Sequence, residues 1–248
     1  MKNIKLTLEY DGTRYNGWQR LGKGESTNTI ENKITEVLKK MDGQDVELFC
    51  GCRTEVGVHA YAQTASFKTN TALEIKDIKN YLNRYLPMDI AVLEAEEMPE
   101  RFHASLNAKE VTYVYRIAIG DVPSVFDRRY TYYSFKTPDI RRMKTAAKAL
   151  LGEHDFRYYS TVKKNKSTVK DMREIDIYQD AREIQITMRA DGFLHNMARM
   201  IAGTLLDIGL GKREVTAAGD IFDAHSDEMA SAPAEAKGLF LQEVGYQK

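Results

Sequence analysis

Apolar and polar residues alternate over residues 3–10, with Ile4, Leu6, Leu8 and Tyr10 on one face, the signature of a half-buried strand. Asp11-Gly12, Gly17, Gly22 and Gly24 then interrupt the pattern and predict turns and loop. From residue 28 the period becomes helical. Asn28 with Glu31 three residues later reads as a helix start. Ile30, Ile34, Leu38 and Met41 share one face, predicting a helix of about twelve residues. A strand through 45–50, another over Gln63–Thr69, an amphipathic helix over 75–86 (Ile75, Ile78, Leu82, Leu86) ended by Pro87, and a short strand over Ile90–Glu96 complete the first half.

A second unit begins near residue 105. "VTYVYRIAIG" (111–120) is rich in β-branched and aromatic residues and predicts a strand. Ile140, Met143, Ala147, Leu150 and Leu151 mark a helix stopped by Gly152. Ile175 and Ile177, then Ile184, Ile186 and Met188, predict two alternating strands around a polar turn. "FLHNMARMIAGTLLDIGLG" (193–211) reads as a long, largely buried helix ending in glycines, with Arg199 one helical turn after His195. The order strand–helix–strand–strand–helix–strand thus occurs twice, with no low-complexity linker. The reading is α+β in two similar halves, 1–104 and 105–248, with a cleft between halves as the natural ligand site.

Composition changes this picture little. The chain has 248 residues, 43% apolar and 29% charged, as in an ordinary soluble globular protein. No apolar run approaches the roughly 18–20 residues that a membrane span needs, so no membrane is expected. The alternating N-terminus reads as a strand and not as a signal peptide, so the cytoplasm is the expected location. Cys50 and Cys52 are the only cysteines, too few for a zinc site, and the five histidines lack ligand spacing. No metal is expected, and the thiols read as reduced and structural.

Lys plus Arg equal Asp plus Glu at 36 each, so net charge names no partner. One local patch stands out. "RYYSTVKKNKSTVKDMR" (157–173) carries Arg157, Lys163, Lys164, Lys166, Lys170 and Arg173 against Asp171 alone. Interleaved Tyr, Ser and Thr add groups that contact phosphate and sugar. It reads either as a nucleic-acid contact or as a solvated loop.

"GCRTEVGVHAYAQ" (51–63) concentrates an arginine, a carboxylate, two glycines and a histidine at a strand end, where chains commonly place chemistry. Arg53 and Glu55 form either a working site or a salt-bridged turn, and spacing alone leaves both open.

The motifs accumulate in order: "YDGTRYNGWQ" (10–19), "CRTEVGVHAYAQ" (52–63), "RFHAS" (101–105), "TYVYRI" (112–117), "LLGEHDFRYYS" (150–160), "KSTVKDM" (166–172), "ADGFLHNMARMIAGTLLDIGLGKR" (190–213) and "APAEAKGLFLQEVGY" (232–246). Across essentially its whole length the chain resembles the tRNA pseudouridine synthase A family. The resemblance implies a pseudouridine-synthase fold: a mixed, largely antiparallel sheet flanked by helices, in two similar halves with a central cleft. It implies conversion of chosen uridines in the tRNA anticodon arm, by a homodimer, without cofactor or metal.

It also implies roles. Glu55 stands at the position of the family's catalytic carboxylate, Arg53 helps hold the target base out of the stack, Tyr113 stacks on the flipped uracil, and Arg199 pairs with the carboxylate. Such a pairing keeps the carboxylate ionised and aimed. Either Tyr113 or Tyr115 is expected to be an ordinary strand aromatic, and Trp18 and His59 to be scaffold. Lys163, Lys164 and Lys166 are the expected RNA contacts.

The chain departs from the pattern at its most consequential atom, since the family's signature reads Arg-Thr-Asp-x-Gly-Val-His-Ala and this one has Glu55. Ser105, Val111 and Lys170 replace usual basic or arginine positions. A divergent paralogue that binds RNA without turnover is therefore the alternative. A small-molecule glycoside hydrolase would need a second acid about 5–10 Å away, which no motif places.

Overall fold

A computed structural model describes residues 1–22, 24–161, 167–223 and 229–246. The chain forms two compact units, Met1–Lys109 with Phe240–Lys248, and Glu110–Leu239.

The first unit follows the expected order: β1 (Lys2–Tyr10), α1 (Ile30–Asp42), β2 (Leu48–Cys50), β3 (His59–Thr69), α2 (Ile75–Tyr85) and β4 (Ile90–Met98). β1 lies between β4 and β3, antiparallel to both, and β2 pairs antiparallel with β3. The alternation of β1 is what the sheet uses. Ile4, Leu6 and Leu8 have no exposed surface, and each contributes about 1.5–3 kcal/mol of burial.

Helix α1 starts one residue later than its start signal implies. Thr29 is the cap, its Oγ1 accepting the Asn32 amide at 3.3 Å, while Asn28 donates its side chain to the Arg14 carbonyl. Met41 is only half-buried, and Val37 joins Ile30, Ile34 and Leu38 on the buried face. The strand expected through 45–50 is confined to β2, and β3 begins four residues earlier than Gln63. β3 is buried along most of its length, so its first residues, His59 to Tyr61, show no clean alternation to read.

The second unit contains β5 (Ala108–Ala118), β6 (Tyr132–Tyr133), α3 (Ile140–Ala147), β7 (Gly152–Asp155), β8 (Val169–Gln179), β9 (Glu183–Ala190), α4 (Met197–Gly209) and α5 (Ala217–Asp220). β5, β9, β8 and β7 form an antiparallel series in that spatial order. α3 packs on α4 and on β8. β6, β7 and α5 are two to four residues long, too short to leave a periodic signal. The helix expected over 140–151 is α3 followed by a single 3-10 turn, Lys148–Leu150.

The final strand, β10 (Leu239–Tyr246), pairs parallel with β3 through Phe240↔His59 and Leu241↔Ala60. The molecule is thus α+β, its mixed sheet largely antiparallel and flanked by helices. Among the described residues no helix is long and apolar enough to cross a membrane.

Candidate active site

Between β2 and β3 the chain makes a turn, Gly51 to Val58, closed by the Val58 amide donating to the Glu55 carbonyl at 3.2 Å. The loop that leaves β1 braces it. The Trp18 amide donates to the Thr54 carbonyl at 3.0 Å, and the Tyr10 and Thr54 hydroxyls share a 2.7 Å hydrogen bond. Gly17 has φ of +83°, and a Cβ there would lie 2.9 Å from the Thr54 carbonyl oxygen and 3.2 Å from the Glu55 carbonyl carbon. Only glycine accepts both the left-handed backbone and that approach.

From the other side, the fully buried Gln63 amide donates to the Cys52 carbonyl at 2.5 Å and receives the Cys52 amide at 3.4 Å. "YDGTRYNGWQ" and "CRTEVGVHAYAQ" are therefore one structure, and it holds the backbone at Cys52 and Thr54, just ahead of Glu55.

His59 and Trp18 belong to that brace. The His59 ring is buried, its Nδ1 accepting the Gly12 amide at 3.1 Å and its face stacked 4.6 Å from Phe240. Asp11 Oδ1 approaches the same Nδ1 at 3.2 Å. Trp18 is 1% exposed, with its ring 6.0 Å from that of Tyr10. Burial pushes the Tyr10 phenol up, against the opposing hydrogen bonds of Thr54 and Gln63. Burial likewise pushes the Cys50 thiol up to about 12, and both cysteines are free.

On this turn Glu55 is half-buried and Arg53 is exposed. No ion pair holds Arg53 among the described residues, so an Arg53–Glu55 pair is not what closes the turn.

In the second unit, Tyr113 and Tyr115 sit on β5 two residues apart, facing the same way. Tyr115 is fully buried and donates its hydroxyl to the Glu235 carbonyl at 3.0 Å. Tyr113 is 4% exposed and meets Phe193 edge-on, with ring centroids 5.0 Å apart.

Arg199 is half-buried in the first turn of α4. The expected helix over 193–211 is shorter than its apolar run: residues 191–196 precede it, and His195 is an exposed turn residue. The cause is Asn196, the N-cap, with φ of +63°, the one non-glycine residue of positive φ among the described residues. That conformation costs about 1–2 kcal/mol, least for Asn. The Arg199 Nε donates to the Ala234 carbonyl at 2.6 Å and its Nη1 to the Asn196 Oδ1 at 3.2 Å. Such tethers exclude a side chain that simply snorkels to water. The macrodipole disfavours a cation in a first turn by about 0.3–1 kcal/mol, and α4 has no acid there. The helix end and the guanidinium therefore present positive charge together.

The remaining expected residues are placed unevenly. Lys163, Lys164 and Lys166 lie outside the described residues. Of the flanking basic residues, Arg157 pairs with Asp155 at 3.4 Å, and Arg173 with Glu110 at 2.9 Å and Asp171 at 3.4 Å. Of these acids only Glu110 is brought in from a distant part of the chain. Ser105 is exposed, whereas Val111 is buried, so the side chain at 111 serves the core. Asn196 and Thr161, which hold Arg199's surroundings, went unmarked in the sequence. An Asn ahead of an apolar helix is a start signal, and it places the start of α4 correctly.

The chain is a mixed, largely antiparallel α+β protein with Glu55 and Arg53 on one turn that its neighbours hold. The chain belongs to the tRNA pseudouridine synthase family, which matches residues 7–107 and 146–247. Arg53, Glu55 and Arg199 lie within the matched residues, and Tyr113 lies outside them. Over 247 residues the chain is 41% identical to "tRNA pseudouridine synthase A 2" of Bacillus anthracis, covering 99% of this chain and 100% of that one. It is 41% identical over 250 residues to the protein of the same name in Clostridium perfringens (strain 13 / Type A), with the same coverage. Among solved structures, an archaeal box H/ACA sRNP Nop10-Cbf5 complex matches with a TM-score of 0.36 and 9% identity, over 82% of this chain and 43% of that one. That distant likeness bears on neither the site nor the chemistry.

Proposed function

We propose that this protein isomerises uridine to pseudouridine in the anticodon arm of tRNA, with Glu55 as the catalytic carboxylate. The observation that supports the reading most is Glu55 on a turn braced on both sides, beside the exposed Arg53. The reaction breaks the bond from uracil N1 to the ribose C1′, turns the base, and joins C5 to C1′. A proton is lost from C5 and one is gained at N1, so the formula is unchanged. An ionised carboxylate serves this either as nucleophile at C1′, as counter-charge to a cation-like sugar, or as base toward the 2′ proton.

In this reading Arg53 holds the flipped conformation, Tyr113 stacks on the uracil and Arg199 is the carboxylate's partner. Lys163, Lys164 and Lys166 contact the RNA backbone. The working form is a homodimer in the cytoplasm and needs no cofactor.

The test is the pseudouridine content of tRNA after incubation with purified protein. Product is expected with the native chain and none with Glu55→Gln of unchanged thermal stability. Undetectable product from the native chain on tRNA and on total cellular RNA would overturn the reading. It would leave an RNA-binding paralogue, which Glu55, Ser105, Val111 and Lys170 together favour as the second reading.

A further inference from the structure

Three side chains form a hydrogen-bonded chain that ends on Arg199. The Arg199 Nη1 donates to Asn196 Oδ1 at 3.2 Å, and the Asn196 Nδ2 donates to Thr161 Oγ1 at 2.9 Å. The Thr161 hydroxyl also shares a 2.6 Å hydrogen bond with His195 Nδ1, and its amide donates to the His195 carbonyl at 3.1 Å. Asn196 holds a positive φ to make these contacts and makes no capping hydrogen bond with its side chain. Helix caps normally use that side chain on the helix's own amides. Here it is turned to the guanidinium instead, in a conformation that strains the backbone.

We infer that Asn196 is a positioning residue for Arg199, steadied by Thr161. The inference rests on the reading of Arg199 as partner of the catalytic carboxylate. A planar guanidinium with one nitrogen fixed by Ala234 and another by Asn196 has lost the rotations that would swing the rest of its fork. Removing the Asn196 contact takes away one of the hydrogen bonds that hold the fork in its plane. Misplacement on the scale of 1 Å costs on the order of 100-fold in rate where geometry is tightly set.

Asn196→Gly is the informative variant because glycine adopts the same backbone without strain while lacking the amide. It is expected to keep the parent's melting temperature and KM for tRNA, and to lose about tenfold or more in kcat. Thr161→Val is expected to show a smaller kcat loss and Thr161→Ser to restore it. These two keep the question answerable should Asn196→Gly fold poorly. In an Arg199→Lys background, Asn196→Gly should cost little more, since the fork it positions is gone.

Parent kcat in Asn196→Gly, or an equal loss in both backgrounds, overturns the inference. Arg199→Leu separates the two levels. If it is inactive while Asn196→Gly is unaffected, only the positioning role falls. If it is fully active, the role of Arg199 falls and this inference with it.

Discussion

A glutamate at position 55 sets the carboxylate one methylene, about 1.5 Å of bond length, further from the backbone than the aspartate of the family's signature. The backbone cannot retreat to compensate, because Trp18, Tyr10 and Gln63 hold Thr54 and Cys52 in place. Either the groups around the carboxylate have moved, or turnover is slow. We expect slow but measurable pseudouridine formation by the native chain and equal or higher activity in Glu55→Asp, read as initial rates on the same tRNA. An Asp variant far slower than native would show a site rebuilt around glutamate. This residue was legible in the sequence because a carboxylate, an arginine and two glycines at a strand end form a dense local motif. Asn196 was not, because its role depends on a backbone dihedral and on Thr161, a residue 35 positions away.

At the scale of elements, the turn that carries Glu55 owes its form to the loop after β1 as much as to its own residues. Gly17→Ala places a methyl 2.9 Å from the Thr54 carbonyl oxygen at a φ of +83°. Gly43, at the end of α1, has a φ of +75° with nothing within 4 Å of a Cβ. Both substitutions carry the left-handed strain of about 1–2 kcal/mol. Only the first also pushes on the Glu55 turn. We expect both variants to lower the urea midpoint, and Gly17→Ala alone to lose activity, about tenfold or more if the turn shifts by the order of 1 Å. Equal activity in the two variants would mean that the brace has no part in catalysis. The strands and helices themselves were readable from period. Their ends were not, as at β3 and α4, because burial on both sides erases alternation and a single left-handed residue stops a helix inside an apolar run.

Over the whole molecule, 36 basic and 36 acidic residues cancel, so any affinity for RNA must come from how charge is distributed. The order of elements along the chain is local information and was legible. The parallel pairing of β10 with β3 is not, because Phe240 and His59 meet across most of the chain. The same limit applies to one of the two charge pairs: Glu110, which pairs with Arg173, lies 63 positions away, whereas Asp155, which pairs with Arg157, stands two residues before it. With those two arginines engaged, the basic character proposed for RNA contact rests on Lys163, Lys164 and Lys166, with Lys170 after them. Each phosphate neutralised by a lysine releases counterion and adds about 0.7–0.9 to the slope of log affinity against log salt. Changing the three lysines to Glu is therefore expected to weaken tRNA binding strongly at low salt and to flatten that slope by about 2–3. The measurement is a salt titration of the dissociation constant for native and triple variant on the same tRNA, with the melting temperature as control. Unchanged affinity and slope would mean that the RNA is held elsewhere and that the segment is a solvated loop.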